Sequence, residues 1–183
     1  EANLVQLGTT SGGVPIIINR RVAEADKVIL TSGISYHLMA GFGGGRKAIM
    51  PGVSAYESIQ GNHTFCLHKE IGKGLNANSV SGKLDGNEMH DDMKQHAAAL
   101  NPAFLLNAVF TPQGKFARFF AGHWYDAWEA GCKEVERIYG IPITKQADLT
   151  LASAGGFPRD INLYQGSKTI DNAFAATRPG GVA

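Results

Sequence analysis

Cysteine is scarce in this chain: among 183 residues only Cys66 and Cys132 occur, far apart. Two such residues form neither a disulfide framework nor a zinc-ligand spacing. They are expected to be reduced thiols of a cytoplasmic protein. No apolar run reaches the roughly 18 residues that a helical membrane span needs, and no signal-peptide pattern is present. Charge of one sign is lacking too. The 17 Lys and Arg nearly balance the 16 Asp and Glu, leaving a net charge of +1, so nothing argues for a nucleic-acid partner. Only 18% of residues are charged while 44% are hydrophobic, which fits a globular protein and excludes a disordered one. What is abundant is glycine, 23 residues without a low-complexity period, the mark of many tight loops. The length suits one ordinary domain, or one domain plus part of another. The chain opens at Glu1 without a Met and closes on Arg178-Pro179-Gly180-Gly181-Val182-Ala183, which reads as a loop entering a new strand. The expectation is an internal stretch of a longer protein.

The pattern along the chain predicts an α/β fold with a mixed or parallel sheet and flanking helices, taken from a two-domain parent. Residues 4–10 and 14–19 read as short strands around a Ser-Gly-Gly turn, with Pro15 at a strand start or edge. Residues 28–33 are continuously apolar, as in a buried parallel strand. Ser54 and Glu57 have the spacing of a capping box before a helix running to about Asn62. Residues 72–86 are a long polar loop. Residues 87–100 have helix composition, and Asn101-Pro102 ends it. Residues 104–111 and 115–121 read as a hairpin, and 123–139 as the longest helix, closed by Gly140. An apolar strand over 147–154, a Gly-rich loop and a helix over about 163–177 make half of a further βαβ unit. The domain boundary is expected near 142–146, with 1–143 as part of an N-terminal catalytic, cofactor-anchoring domain and 144–183 as the start of a C-terminal α/β domain.

The densest chemistry lies in Gly41-Phe42-Gly43-Gly44-Gly45-Arg46-Lys47, preceded by His37 and followed by Asn62-His63. A glycine cluster costs backbone entropy, and a common reason for one is close approach of backbone to a phosphate or cofactor. It is not a Walker A loop, because Lys47 follows Arg46 and precedes Ala48. It is not the dinucleotide fingerprint, because the third glycine would fall on Arg46. An anion-binding nest and a tight structural turn both stay open. Lys47 could enter a site lined by backbone or be a solvated surface lysine. His37 and His63 are too far apart for a local metal motif, yet imidazole suits both proton transfer and nickel, copper or zinc. His68, His90, His96 and His123 read as surface or helix-face residues, with His90 and His96 beside Asp91-Asp92 on a solvated face. Gln165 and Lys168, three apart at the first turn of the last helix, share a face suited to a small acid.

Taken together, His37, the Gly-Phe-Gly-Gly-Gly-Arg-Lys run ending at Lys47, the following Ile-Met-Pro-Gly, Glu57 and Asn62-His63 resemble the signature of the nickel-dependent lactate racemase family. Residues 156–168 and the Leu7-Gly8-Thr9-Thr10 turn are similar to further parts of it, in the same order. The resemblance implies a nickel-pincer nucleotide anchored covalently on Lys47 and lined by Gly43, Gly44, Gly45 and Arg46. It implies His63 as the nickel ligand, His37 as one of two acid/base groups, and Gln165 and Lys168 as substrate contacts. The implied reaction is racemisation or epimerisation of a small 2-hydroxy acid, lactate by default, by proton-coupled hydride transfer to the cofactor. Cofactor-maturation enzymes would be partners. The second acid/base histidine lies outside this chain, so this stretch is expected to be inactive alone and without cofactor. Two other readings remain: a pyridoxal-phosphate enzyme with Lys47 as its Schiff-base lysine, and a non-enzymatic nucleotide- or anion-binding module.

Overall fold

The computed structural model describes residues 3–183. It divides into two compact units that part between Tyr139 and Gly140. In the first, β1 (Leu4–Thr9) and β2 (Pro15–Asn19) form an antiparallel hairpin. Pro15 sits at the strand start, where its missing N–H costs least. One helical turn, α1 (Arg20–Ala23), follows, with the Asn19 side chain accepting from the Arg21 amide. β3 (Ile29–Ile34) leads into the two-residue strands β4 (Tyr36–His37) and β5 (Gly41–Phe42), then a 3-10 turn over Gly45–Ala48. α2 (Tyr56–Thr64) and α3 (Glu88–Leu100) come next. The hairpin β6 (Phe104–Phe110) and β7 (Phe116–Gly122) and the helix α4 (Asp126–Tyr139) complete the unit.

The central sheet has the order β3-β6-β7, parallel between β3 and β6 and antiparallel between β6 and β7. The fold is therefore mixed α/β. One sheet face carries Leu30, Ile34, Leu105 and Val109, all buried against α4, whose Trp128, Cys132 and Val135 recur at helical spacing. The helix approaches closely because Gly131 has no side chain: a Cβ there would run into Ile34. Ile29, Phe104, Leu106, Phe116 and Phe119 remain exposed. Residues 28–33 are thus a parallel strand, as expected, but one buried on a single face. β3 is an edge of this sheet and not an inner strand.

Other expectations are corrected. The helix expected to be the longest begins at Asp126 and not at 123, and at 14 residues it is equalled by the helix over Leu163–Ala176. Ser54 does not cap α2. Its hydroxyl donates to the Ile49 carbonyl at 2.8 Å, and the helix starts after Ala55 without a side-chain cap. The helix starts one residue later than a Ser54 cap requires, and the hydroxyl closes the preceding turn instead. The largest correction concerns α3. His90 and His96 are not on a solvated face: both are buried, as is Asp92. They share the inward stripe with Met89, Met93 and Ala97, and the acidic neighbour that suggested solvent is itself half of the reason, since Asp91 faces out while Asp92 faces in. His68 and His123 are exposed, as read.

The second unit contains β8 (Ala147–Leu149), α5 (Leu163–Ala176) and β9 (Thr177–Val182), with the two strands parallel. It is a full β-α-β unit, not half of one. Asn162 caps α5 by accepting from the Gln165 amide at 2.9 Å. The strand expected over 147–154 is only three residues long and exposed. Among the described residues no helix is long and apolar enough to cross a membrane, and both cysteines are free thiols.

His90 yields a pH dependence. Its ring stacks on Trp128 at 5.6 Å between centroids. Burial, with the Arg46 and Lys94 charges adding to it, pushes its pKa down from 6.5 to about 3. The folded chain therefore refuses a proton that the unfolded chain accepts below pH 6.5, so stability is full above that pH and falls as pH falls. The loss approaches about 1.4 kcal/mol per pH unit, or about 2 kcal/mol between pH 7 and 5. Urea unfolding of the wild type and His90→Phe at both pH values checks this: the stability difference between them should shift by that amount in favour of the variant at pH 5, and a pH-independent difference would exclude it.

Candidate functional site

The glycine-rich loop is held from four sides. The indole N–H of Trp128 donates to the Gly43 carbonyl at 2.9 Å. The Gly45 amide donates to Ser32 Oγ and Asn107 Oδ1, each at 3.0 Å, and Asn107 in turn donates to Ser32 Oγ at 2.9 Å. The Gly43 amide donates to the Ser35 carbonyl. Two of the loop's amides are thus committed inside the protein. That weakens the anion-nest reading, which needs them turned outward. The glycines are explained by packing. Gly44 and Gly45 have φ of 69° and 52°, and a Cβ on Gly45 would enter the Trp128 ring while one on Gly44 would meet the Gly33 carbonyl.

Arg46 is fully buried. Its guanidinium donates to the Phe42 carbonyl at 3.2 Å and to the Ala40 carbonyl at 2.8 Å, and lies 4.1 Å over the Trp128 ring. Its partners are carbonyls and an aromatic face and not a carboxylate. Burial lowers its pKa to about 10, which leaves it charged at neutral pH. The residue expected to line a cofactor is instead the pin that shapes the loop. Lys47, next in the 3-10 turn, is half-buried. Three residues per turn place neighbouring side chains about 120° apart, so an inward Arg46 directs Lys47 away from the core.

His37 and His63 are both half-buried and are fixed in different ways. His63 Nδ1 lies 2.7 Å from the Ile59 carbonyl. A carbonyl only accepts, so Nδ1 carries the proton and Nε2 keeps its lone pair. His37 Nδ1 accepts from the Ala40 amide at 3.1 Å and more weakly from Met39 at 3.4 Å. The proton of the neutral ring then sits on Nε2. The segments bearing His37, Lys47 and His63 meet on one small apolar cluster. Met39 and Ala40 follow His37, Met50 follows Lys47, and Ile59 supplies the carbonyl under His63; all pack with Met89 and Met93 of α3. The polar loop at 72–86 is tied to the same place, since Ser79 and Asn87 both donate to the Met39 carbonyl.

In the second unit Gln165 and Lys168 do share a face: Lys168 Nζ donates to Gln165 Oε1 at 2.7 Å and lies 5.5 Å from the Tyr164 ring centre. Among the described residues no group of three or more His, Cys, Asp or Glu converges as a metal cage, so any metal here would draw most of its ligands from elsewhere. Three buried polar residues carry a signal in the sequence: Asn107 is polar inside the apolar run 104–110, and Asp92 and His96 sit four apart among the Met and Ala residues of one helix stripe.

Residues 1–74 match the lactate racemase N-terminal domain family. Over 180 residues the chain is 37% identical to a lactate racemase of Thermoanaerobacterium thermosaccharolyticum, an alignment covering 98% of this chain and 41% of that protein. It is 34% identical over 183 residues to a lactate racemase of Lactiplantibacillus plantarum, covering all of this chain and 41% of that one. Its backbone matches the lactate racemase apoprotein structure from T. thermosaccharolyticum with a TM-score of 0.90 at 36% identity, over 99% of this chain and 42% of that one. The chain spans about two fifths of the length of these relatives. Over that span, in sequence and in backbone, it is similar to the lactate racemases.

Proposed function

We propose that the protein containing this chain racemises or epimerises a small 2-hydroxy acid, with lactate the default substrate, using a nickel-pincer nucleotide tethered to Lys47. The observation that carries this reading is the His63 ring. Its Nδ1 proton is committed to the Ile59 carbonyl, which leaves Nε2 as a neutral imidazole donor fit for nickel. Lys47 leaves, about 120° round the turn from Arg46, a loop whose other cation is buried. The residues present therefore fit the group. When bound, that cofactor supplies an electrophilic carbon able to take hydride from the substrate's α-carbon and return it.

The chain's own residues supply the rest. Gln165 and Lys168, already hydrogen-bonded to each other, offer an amide and an ammonium to a carboxylate or hydroxyl. His37 in its neutral form presents Nε2–H, because Nδ1 is occupied by backbone amides. It starts as the acid of the pair, hydrogen-bonding to the substrate's α-oxygen and able to protonate it; the complementary base is a second histidine outside this chain. Residues 1–143 would form part of the catalytic, cofactor-anchoring domain and 144–183 the start of a C-terminal α/β domain. The protein would work in the cytoplasm, depend on maturation enzymes to build and install the cofactor, and this stretch alone would be inactive.

Intact mass and metal analysis of the full-length protein, expressed with maturation enzymes, tests the tether. A covalent adduct with stoichiometric nickel is expected, lost in Lys47→Ala; no adduct and no nickel, or an imine trapped by borohydride as in a pyridoxal enzyme, would overturn the reading. In the loaded protein His37→Ala should lower the racemisation rate by about 100- to 10,000-fold while the adduct mass and nickel content stay unchanged, and lost loading would assign His37 to the cofactor instead.

A further inference from the structure

α2 carries His63, yet its buried face is polar. The two fully buried residues of this nine-residue helix are Ser58 and Asn62, one turn apart. Ser58 accepts from the Ile17 amide and donates to the Pro15 carbonyl, docking the helix on β2. Gly61 lies against Val14, where a Cβ would come within 2.9 Å. On the other side Asn62 Nδ2 donates to Asp92 Oδ2 at 2.9 Å and to the Met89 carbonyl at 3.1 Å, both on α3. Asp92 is in turn 3.5 Å from His96 Nδ1, which also contacts the Asp92 carbonyl at 3.0 Å.

This cluster is poorly suited to stabilising the fold. Asn62 Oδ1, Asp92 Oδ1 and His96 Nε2 are all buried and lack a hydrogen-bond partner among the described groups. Each such atom costs stability, and apolar residues of similar size would pack there without that cost. What the cluster does provide is direction. A helix docked through apolar contacts can roll by several degrees at little cost, whereas a charge-assisted hydrogen bond has one good geometry. Asn62 immediately precedes His63, so the bond that fixes the roll of Asn62 also fixes where the His63 ring points.

We propose that Asp92, backed by His96, is a positioning residue for His63, acting through Asn62 across the α2–α3 contact. The inference rests on the reading of His63 as the nickel ligand only for its catalytic consequence. The contact itself is read in the cofactor-free protein.

The experiment uses the full-length protein with 15N-labelled histidine rings. In the wild type before loading, the His63 nitrogens should show one tautomer, protonated at Nδ1. Asp92→Ala should let α2 sample more than one roll, so the His63 ring signals shift and broaden while Nδ1 stays protonated, because the Ile59 carbonyl that holds it belongs to the same helix. Asp92→Asn, whose amide oxygen can still accept from Asn62, should restore the wild-type signals. If Asp92→Ala does not fold, Asp92→Ser takes its place, expected to disturb the signals in the same way. A folded variant whose unfolding midpoint falls while the His63 signals stay unchanged would overturn the proposal, because a purely structural role predicts that result. After loading, nickel should leave Asp92→Ala about 10-fold faster or more. Disturbed signals with unchanged nickel retention would support the hold of Asp92 on His63 and overturn His63 as the ligand.

Discussion

A cation without a carboxylate sets the form of the site. Arg46 is wholly buried, and its guanidinium donates through its two terminal nitrogens to two carbonyls of its own loop and lies over the face of Trp128, while Nε has no hydrogen-bond partner among the described groups. Those three partners can surround it only if the chain reverses sharply at Gly44 and Gly45 and lets the indole approach the backbone. The positive φ values and the absence of side chains at those two positions follow from that. Asn107 and Ser32 then close the turn against the sheet by accepting the Gly45 amide. Burying Arg46 also separates two neighbouring cations. Lys47 follows Arg46 in the same 3-10 turn, about 120° round, so its side chain leaves the turn in a different direction.

The helices behind the loop follow a related logic. α4 is docked by apolar packing, through Trp128, Cys132 and Val135, and burial raises the pKa of the Cys132 thiol so that it stays neutral. α2 and α3 meet instead through Asn62, Asp92 and His96, with methionines around them. Apolar contact is strong but nearly blind to rotation, while hydrogen bonds between buried groups are costly and directional. The unit uses the first to hold α4 on the sheet and the second beside His63.

Much was readable before any coordinates. Strand and helix positions in the first unit followed from periodicity and from Pro, Gly and Asn punctuation, because these act over a few residues. The family was readable from the order and spacing of His37, the Gly-Arg-Lys run, Asn62-His63 and the 156–168 stretch, because many weak local constraints multiply into a specific one. Less readable were Arg46, Asn107, His90, Asp92 and His96. Each is a polar residue that type and neighbours place in solvent, and all but His96, whose partner Asp92 is one turn away, are buried against groups from a distant part of the chain.

By itself, then, the sequence determined the α/β class, most of the element order, and the candidate residues His37, Lys47 and His63. Only the tertiary structure decided which nitrogen of His37 and of His63 carries the proton, since that depends on the Ala40 amide and the Ile59 carbonyl in the folded backbone. Only it turned Arg46 inward and Lys47 away, since that depends on Trp128 arriving from 82 positions downstream on α4. Composition and spacing act along the chain, whereas tautomer, burial and direction are set by groups that meet only once it has folded.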